Sequence, residues 1–169
     1  MDQRKTKKEI VREFSAGGVV YKLQNGKFLF LITKSNPSKA YPDEVWRLPK
    51  GWLDDSGNGP GPKASGKIKA SETDLQKSAL REVAEEGGVE AKIIKKITTD
   101  KLFFKWRGKD ILKFVTFYLM EWLRDFQEGY GFETSGVAWL EYTEARRRLK
   151  YSSEKEVLDK AVKLLTSGN

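Results

Sequence analysis

Four charged side chains capable of chemistry lie within one short segment: Arg81, Glu82, Glu85 and Glu86. A helix turns about 100° per residue, so these side chains would share one face, with the neighbouring apolar residues on the other side. Glutamates at i and i+4 repel each other by about 0.2–0.5 kcal/mol in isolated helices, and a bound divalent cation would reverse that penalty. Because only oxygen ligands are available, the expected ion is Mg²⁺ or Mn²⁺. Taken alone, the pattern also fits a solvated helix face with intrahelical ion pairs.

The amino-acid composition excludes several classes of catalytic and metal-binding site. The 169 residues include no cysteine and no histidine, which excludes disulfides, Cys/His zinc sites, thiol nucleophiles and Ser-His-Asp triads. The 32 Lys and Arg against 24 Asp and Glu give a net charge of +8, which attracts anions such as nucleotides, polyphosphates or nucleic acid. Combined with a hard metal ion, this charge favours chemistry on phosphate esters or pyrophosphates. No apolar run has the length of a signal sequence core or a membrane span, so we expect a cytoplasmic protein that does not associate with membranes.

Apolar runs rich in β-forming residues alternate with turn residues and predict a sheet. Asn25-Gly26 separates two such runs and predicts a hairpin, and Arg107 to Asp110 predicts a second hairpin turn. Because helices are expected between and after the strands, the chain predicts an α/β or α+β sandwich. The expected strands are 14–23, 28–34, 91–97, 101–106, 111–122 and 137–140, with a short segment at 46–51.

Two regions predict helices. Residues 73–86 consist of good helix formers, with Thr73 and Gln76 at the spacing of a capping box and two glycines at the end. The second region, 143–165, predicts one or two helices with apolar stripes, and Thr143 and Ser153 are its candidate caps.

The acidic helix segment belongs to a longer motif. Residues 81–89, REVAEEGGV, resemble the second half of the Nudix box, G-x5-E-x7-R-E-U-x-E-E-x-G-U, where U is aliphatic, and all specified positions from Arg81 onward match. Upstream, 46–51 (WRLPKG) and 15–20 (SAGGVV) are similar to the usual opening of the same superfamily. The resemblance implies one Nudix hydrolase domain over residues 1–169, with a Nudix-type α/β/α sandwich around a mixed central sheet.

The first half of the box departs from the family pattern. The Glu expected six residues after Gly51 is Gly57, and Glu72, 21 residues after Gly51, is the obvious substitute. The box is therefore split by an inserted loop at about 54–71. This loop contains four Gly and two Pro with one large apolar residue, Ile68, which predicts an exposed segment that is either passive or closes over a long polyphosphate.

The resemblance implies metal-assisted attack of water on a phosphorus of a nucleoside diphosphate linkage. Arg81 would orient the carboxylates through charge-assisted hydrogen bonds. The general base would be a box glutamate such as Glu82, or a carboxylate from a distant loop, for which Glu133 is the first candidate and Glu128 the second. The implied Mg²⁺ or Mn²⁺ ligands are Glu82, Glu85, Glu86 and the Gly51 carbonyl.

Basic residues on or beside the predicted strands are candidates for contacting a polyphosphate, although strand alternation does not show which of them face the site. The preferred substrate-binding residues are Arg47, Lys50 and Lys34, and the others are Lys101, Lys105 and Lys113. The aromatic residues of the same strands, from Phe103 to Tyr118, are expected mainly in the core.

The C-terminal segment 139–161 looks like the tail of dinucleoside polyphosphate and diphosphoinositol polyphosphate hydrolases. This likeness favours a Mg²⁺-dependent pyrophosphohydrolase acting on a nucleoside polyphosphate, diadenosine polyphosphate first. Diphosphoinositol polyphosphate or an RNA 5′ end is the alternative substrate. A non-catalytic nucleotide- or RNA-binding module is the alternative function, and such binding would persist in EDTA and fall steeply with salt. The expected assembly is a monomer or homodimer.

Overall fold

The computed structural model describes residues 9–38 and 43–167, and the part it describes contains a mixed sheet. The sheet has seven strands in the order β3-β2-β1-β6-β5, with β4 paired to β1 and β7 paired to β2. Strands β1 and β6 run parallel, and the other pairs are antiparallel. The elements are β1 (Ile10–Gln24), β2 (Lys27–Ser35), β3 (Trp46–Arg47), β4 (Lys50–Trp52), α1 (Glu72–Gly87), β5 (Val89–Trp106), β6 (Lys109–Asp125), β7 (Thr134–Leu140), α2 (Tyr142–Arg148) and α3 (Ser152–Thr166).

Helices cover both faces of the sheet. Successive residues of a strand point to opposite faces, so Val19 and Val20 of β1 belong to two different hydrophobic clusters. The cluster around Val19 includes Leu158 of α3, and the cluster around Val20 includes Val83 of α1. The predicted α/β/α sandwich with a mixed sheet is therefore confirmed. None of the helices in the described residues is long and apolar enough to cross a membrane.

Both predicted hairpins are present, and the second has a shorter turn than expected. Asn25 and Gly26 have φ values of 52° and 76°, and Arg107 and Gly108 have 48° and 76°, so each turn has two left-handed residues. Lys109 and Asp110 are already paired in β6. The sequence predicts a break between two strands at residues 98–100, but these residues belong to β5. β-Bulges at Ile93/Lys95 and Lys96/Thr98 allow the long strand to stay paired with β6.

Helix α1 begins earlier than the sequence predicts. Its N-cap is Ser71, whose hydroxyl accepts the Asp74 N–H at 3.1 Å while the Asp74 carboxylate accepts the Ser71 N–H at 2.9 Å. The predicted capping box at Thr73 and Gln76 is therefore wrong, since an equivalent pair occurs two residues earlier. The C-terminal region forms two helices, with N-caps at Glu141 and Tyr151 rather than at the predicted threonine and serine.

The inserted loop at 54–71 is folded onto the molecule. The Asp54 carboxylate accepts N–H groups from Lys63 at 3.0 Å and Ala64 at 2.8 Å, which closes the loop on itself. Ala64 is fully buried in the cluster around Val20, and its carbonyl accepts the N–H of Phe14 at 2.8 Å. The expectation of an exposed segment is therefore wrong for the centre of the loop, because backbone hydrogen bonds anchor it where large apolar side chains are absent.

Candidate active site

A cleft of about 1550 Å³ gathers most of the residues that the motif singles out. The walls come from α1, from β3 and β4, from the β5–β6 hairpin and from the segment before β7. The sequence-predicted site residues that line the cleft are Arg47, Lys50, Gly51, Arg81, Glu82, Glu85, Glu86 and Glu133. The acidic face of α1 therefore borders an open cavity, as metal-assisted chemistry requires.

Strand β4 brings the LPKG segment against the acidic face of α1. Gly51 pairs with Ala16 of β1, and this pairing fixes the strand beside the helix. The Lys50 N–H donates to Glu86 Oε2 at 2.9 Å. A Cβ atom on Gly51 would lie 2.3 Å from the Glu82 carboxylate, so only glycine allows the backbone to approach that carboxylate so closely. The glycine of the motif thus creates contact between a backbone segment and an acidic group.

Arg81 connects α1 to the end of β4. Its guanidinium donates to the carbonyls of Trp52 at 2.9 Å and Leu53 at 3.3 Å, and to Glu82 Oε1 at 3.2 Å. Its Nε lies 3.8 Å from Glu85 Oε1. Because the planar fork contacts both backbone and carboxylate, Arg81 has the geometry of a positioning residue for Glu82.

Burial disfavours the charged forms of two carboxylates in the cleft, Glu82 and Glu86, when no cation is bound beside them. Burial raises the pKa of Glu86 to about 8, and the neighbouring charges of Glu82 and Glu133 add to the effect of burial. Burial also raises the pKa of Glu82, against the opposing hydrogen bond from Arg81. A cation bound between these groups would stabilise their charged forms.

The donor set fits a hard divalent ion that binds few protein ligands. Glu82, Glu86 and the backbone of Gly51 lie together, whereas Glu85 is exposed and lies beside Arg81. Within the described residues, no three acidic side chains converge on one point. Mg²⁺ commonly binds through one or two carboxylates and takes its remaining ligands from water and substrate phosphate, so this arrangement is compatible with it.

The segment before β7 places a further carboxylate in the cleft. Gly131 N–H donates to the Glu85 carbonyl at 2.6 Å, and the Thr134 hydroxyl donates to the Glu86 carbonyl at 2.9 Å. These bonds fasten the segment to the last turn of α1 and bring Glu133 into the cleft wall. Glu128, the second candidate base, is not among the residues that line the cleft.

The three preferred substrate-binding residues have different environments. Lys34 lies outside the cleft lining and pairs with Glu44 at 2.6 Å. Its neighbour on β2, Thr33, lines the cleft instead, because successive residues of a strand point to opposite faces of the sheet. Lys50 lines the cleft, but its ammonium lies 2.9 Å from Glu154 Oε2. Arg47 lines the cleft, and within the described part of the chain its guanidinium forms no hydrogen bond or ion pair. Arg47 can therefore contact a substrate in the cleft, whereas Lys50 would first have to leave its ion pair with Glu154 and Lys34 lies outside the cleft.

Glu72 does not replace the glutamate missing from the first half of the box. It is exposed at the start of α1, where it accepts hydrogen bonds from Tyr118 at 2.8 Å and Lys96 at 2.7 Å. These partners hold it on β5 and β6, and it is absent from the cleft lining. The 15-residue offset in the motif therefore moves this carboxylate to another part of the molecule.

One residue that supports the cleft from behind the LPKG segment, Glu154, was not singled out by the sequence. Glu154 of α3 is 1 % exposed, and its Oε1 accepts the Leu48 N–H at 2.6 Å, so a helix more than 100 residues away holds the LPKG segment. No local motif marks this glutamate. Among the remaining basic candidates, Lys113 lines the cleft and Lys101 and Lys105 do not. Phe103 and Phe104, both expected in the core, line the cleft instead, and Phe103 is 61 % exposed.

A family model and a relative found by sequence both match most of this chain. The family model for the NUDIX domain matches residues 12–161. A Mycobacterium tuberculosis (strain CDC 1551 / Oshkosh) protein that carries the name mutator protein MutT4 is 28% identical over 164 residues, covering 95% of this chain. The chain spans 58% of the length of that relative.

Solved structures share the fold at lower identity. A C. elegans Ap4A hydrolase in a binary complex superposes with a TM-score of 0.66 at 24% identity, covering 92% of this chain and 99% of that one. The NUDIX domain of Shewanella oneidensis NrtR, complexed with ADP ribose, gives a TM-score of 0.63 at 16% identity, covering 98% and 94%.

Proposed function

The chain belongs to the NUDIX domain family, whose model covers 150 of its residues (12–161), and from that premise we propose that it is a Mg²⁺-dependent pyrophosphohydrolase. The proposed substrate is a nucleoside polyphosphate in which a diphosphate linkage is cleaved, with diadenosine polyphosphate favoured. One observation carries this proposal. Glu82 and Glu86 lie against the backbone of the LPKG segment inside a cleft that also contains Arg47 and Glu133.

The chain's own residues have distinct tasks in the proposed reaction. A divalent ion, when bound by Glu82 and Glu86 beside the Gly51 backbone, would neutralise phosphate charge and lower the pKa of water. Arg81 keeps Glu82 directed at the cleft, because its guanidinium donates to the Glu82 carboxylate and is itself anchored by hydrogen bonds to the carbonyls of Trp52 and Leu53. We assign Glu133 as the acceptor of a proton from the attacking water, because it lines the same cleft as Glu82 and Glu86 and its charge raises the pKa of both.

A nucleoside polyphosphate is favoured for two reasons. The structure of a C. elegans Ap4A hydrolase covers nearly the whole of this fold, so the same architecture accommodates a dinucleoside polyphosphate in that protein. The cleft of about 1550 Å³ exceeds the roughly 300–1,000 Å³ typical of small-ligand pockets, which leaves room for an extended substrate. Aromatic side chains at its margin, such as Phe104 and Tyr151, provide surfaces on which a base can stack.

A substrate panel tests this function. Diadenosine tetraphosphate, ADP-ribose, a diphosphoinositol polyphosphate and 5′-triphosphorylated RNA are incubated with the protein, with and without Mg²⁺, and products are separated by chromatography. We expect Mg²⁺-dependent cleavage of diadenosine tetraphosphate, reduced by at least about 100-fold in Glu86→Gln. Glu90→Gln, which changes a half-buried glutamate paired with Arg124 outside the cleft, is the matched control and retains activity.

The same panel separates hydrolysis from simple binding. A non-catalytic module would bind nucleotide or RNA in EDTA with a steep salt dependence and would show no turnover on any compound. That result would overturn the proposed enzymatic function.

A further inference from the structure

Lys113 is a cation in the cleft to which the proposed reaction gives no task. It lies on β6, next to Glu13 of β1 and Leu102 of β5 in the sheet register, and its side chain lines the same cleft as Glu82. In the part of the chain that the structure describes, its ammonium makes neither a hydrogen bond nor an ion pair. Lys113 is half-buried, and an ammonium that loses water contacts without gaining an ion-pair partner is energetically costly for the protein alone.

Charged side chains of both signs surround Lys113, and two of them, Lys50 and Arg47, are cationic. Burial lowers the pKa of its ammonium to about 8, and the charges of Lys50 and Arg47 lower it further, against the opposing charges of Glu13 and Glu154. The ion pair with Glu154 offsets the charge of Lys50, but within the described residues Arg47 has no equivalent partner. Lys113 and Arg47 thus form a basic pole of the cleft, defined by these two residues.

The cleft therefore has two poles of opposite charge. The acidic face of α1 supplies Glu82 and Glu86, and the basic pole lies on β3 and β6. In a substrate with only two phosphates, both belong to the scissile linkage and would lie with the metal at the acidic pole. A longer chain has a further phosphate, and its negative charge would supply the partner that Lys113 lacks.

We propose that Lys113 and Arg47 bind a phosphate outside the scissile linkage, so that the cleft selects chains of three or more phosphates over diphosphate-linked nucleotides. This inference rests on the proposed function and adds the substrate's chain length to it. Lys113 is the specificity-determining member, because Arg47 also lies close enough to Glu86 to affect its pKa and serves both poles.

Kinetics on two substrates test the selection. Diadenosine tetraphosphate and ADP-ribose are compared with Mg²⁺ in the wild type, Lys113→Gln and Lys113→Arg. In Lys113→Gln we expect kcat/KM for the tetraphosphate to fall by about 10- to 100-fold, mainly through KM, the cost of one charged hydrogen bond. The value for ADP-ribose changes less than about 3-fold, and Lys113→Arg retains most of the preference. Lys101→Gln, an exposed lysine of β5 outside the cleft, is the matched control and changes neither.

A binding measurement gives a readout that does not depend on turnover. Inorganic tripolyphosphate in EDTA should raise the melting temperature of the wild type and should shift Lys113→Met little. Lys113→Met should itself melt higher than the wild type, because it removes a desolvated charge without a partner. This rise would show that the variant is folded when it loses the anion.

The two experiments distinguish failure of the inference from failure of the proposed function. If the wild type turns over none of the compounds, the proposed function is overturned. Tripolyphosphate binding still tests the basic pole in that case. Equal losses on both substrates, or an unchanged tripolyphosphate shift in Lys113→Met, would overturn the inference.

Discussion

Arg81 offers a direct test of how the helix and the LPKG segment are held together. Its guanidinium makes hydrogen bonds of 2.9 Å to the Trp52 carbonyl, 3.3 Å to the Leu53 carbonyl and 3.2 Å to Glu82. A hydrogen bond to a charged group contributes about 1.5–3 kcal/mol when buried. Because the Arg81 side chain is 44% exposed, solvent screens these contacts, and we expect Arg81→Gln to lower the free energy of unfolding by only about 2 kcal/mol in total.

The effect on activity should be larger than the effect on stability. Loss of a residue that orients metal ligands typically costs about 10- to 100-fold in metal affinity or activity. We therefore expect Arg81→Gln to lower kcat/KM on diadenosine tetraphosphate by that factor, with the fold retained and a fall in melting temperature of about 4–8 °C. Arg81→Lys keeps the charge but lacks the planar fork, so it should recover stability better than activity.

Urea unfolding and steady-state kinetics on the same preparations measure both effects. Arg147→Gln is the matched control, because Arg147 is an exposed arginine whose ion pair is with Glu144 of its own helix. It should change stability by less than about 0.5 kcal/mol and leave kinetics unchanged. Wild-type kcat/KM in Arg81→Gln, or full activity in Arg81→Lys, would refute the positioning role.

Three further predictions follow from other contacts. Gly51→Ala places a Cβ atom 2.3 Å from the Glu82 carboxylate and should reduce turnover by at least about 10-fold. Gly136→Ala is the control and should not reduce turnover, because none of the described residues has an atom within 4 Å of its Cβ position. Equal rates in the two variants would contradict the close approach of the Gly51 backbone to Glu82. Glu154→Gln leaves Lys50 without its buried partner and should destabilise the protein by about 3 kcal/mol in urea unfolding, and Glu154→Gln combined with Lys50→Met should regain much of that loss. Since burial raises the pKa of Glu86 to about 8 from an unfolded value of about 4.5, its contribution to stability is present below pH 4.5 and is lost as the pH rises to 8. In EDTA, the free energy of unfolding of the wild type should therefore fall relative to that of Glu86→Gln between pH 5 and 8.5. A difference in free energy between the two proteins that stays constant over this pH range would contradict the expectation.

The sequence predicted most of the elements because their signals are local. Apolar runs rich in β-forming residues and the Asn25-Gly26 turn predicted the strands, and the glycines at the end of α1 predicted its C-terminus. Helix starts were less predictable, since Ser71 and Thr73 are both good caps and only the fold selects between them. The inserted loop was misjudged because its anchoring depends on Asp54 accepting backbone N–H groups, which composition does not show.

The candidate site was predictable where the motif is contiguous and unpredictable where residues are distant in sequence. One helical face placed Glu82 and Glu86 correctly beside each other. The role of Glu154 depends on α3 packing against a segment more than 100 residues away, and no local pattern encodes that contact. The strand alternation that separates Lys113 from Lys34 becomes informative only after the sheet register fixes which face borders the cleft.

Direct measurement of metal binding is the most decisive test of the claim that the acidic face of α1 holds the catalytic cation. Mn²⁺ binding by electron paramagnetic resonance can be compared in the wild type, in Glu82→Gln combined with Glu86→Gln, and in the control Glu90→Gln. The account predicts a Mn²⁺ site in the wild type and the control that Mg²⁺ displaces and the double variant lacks, although all three proteins remain folded. Mn²⁺ affinity in the double variant equal to that of the wild type would contradict it.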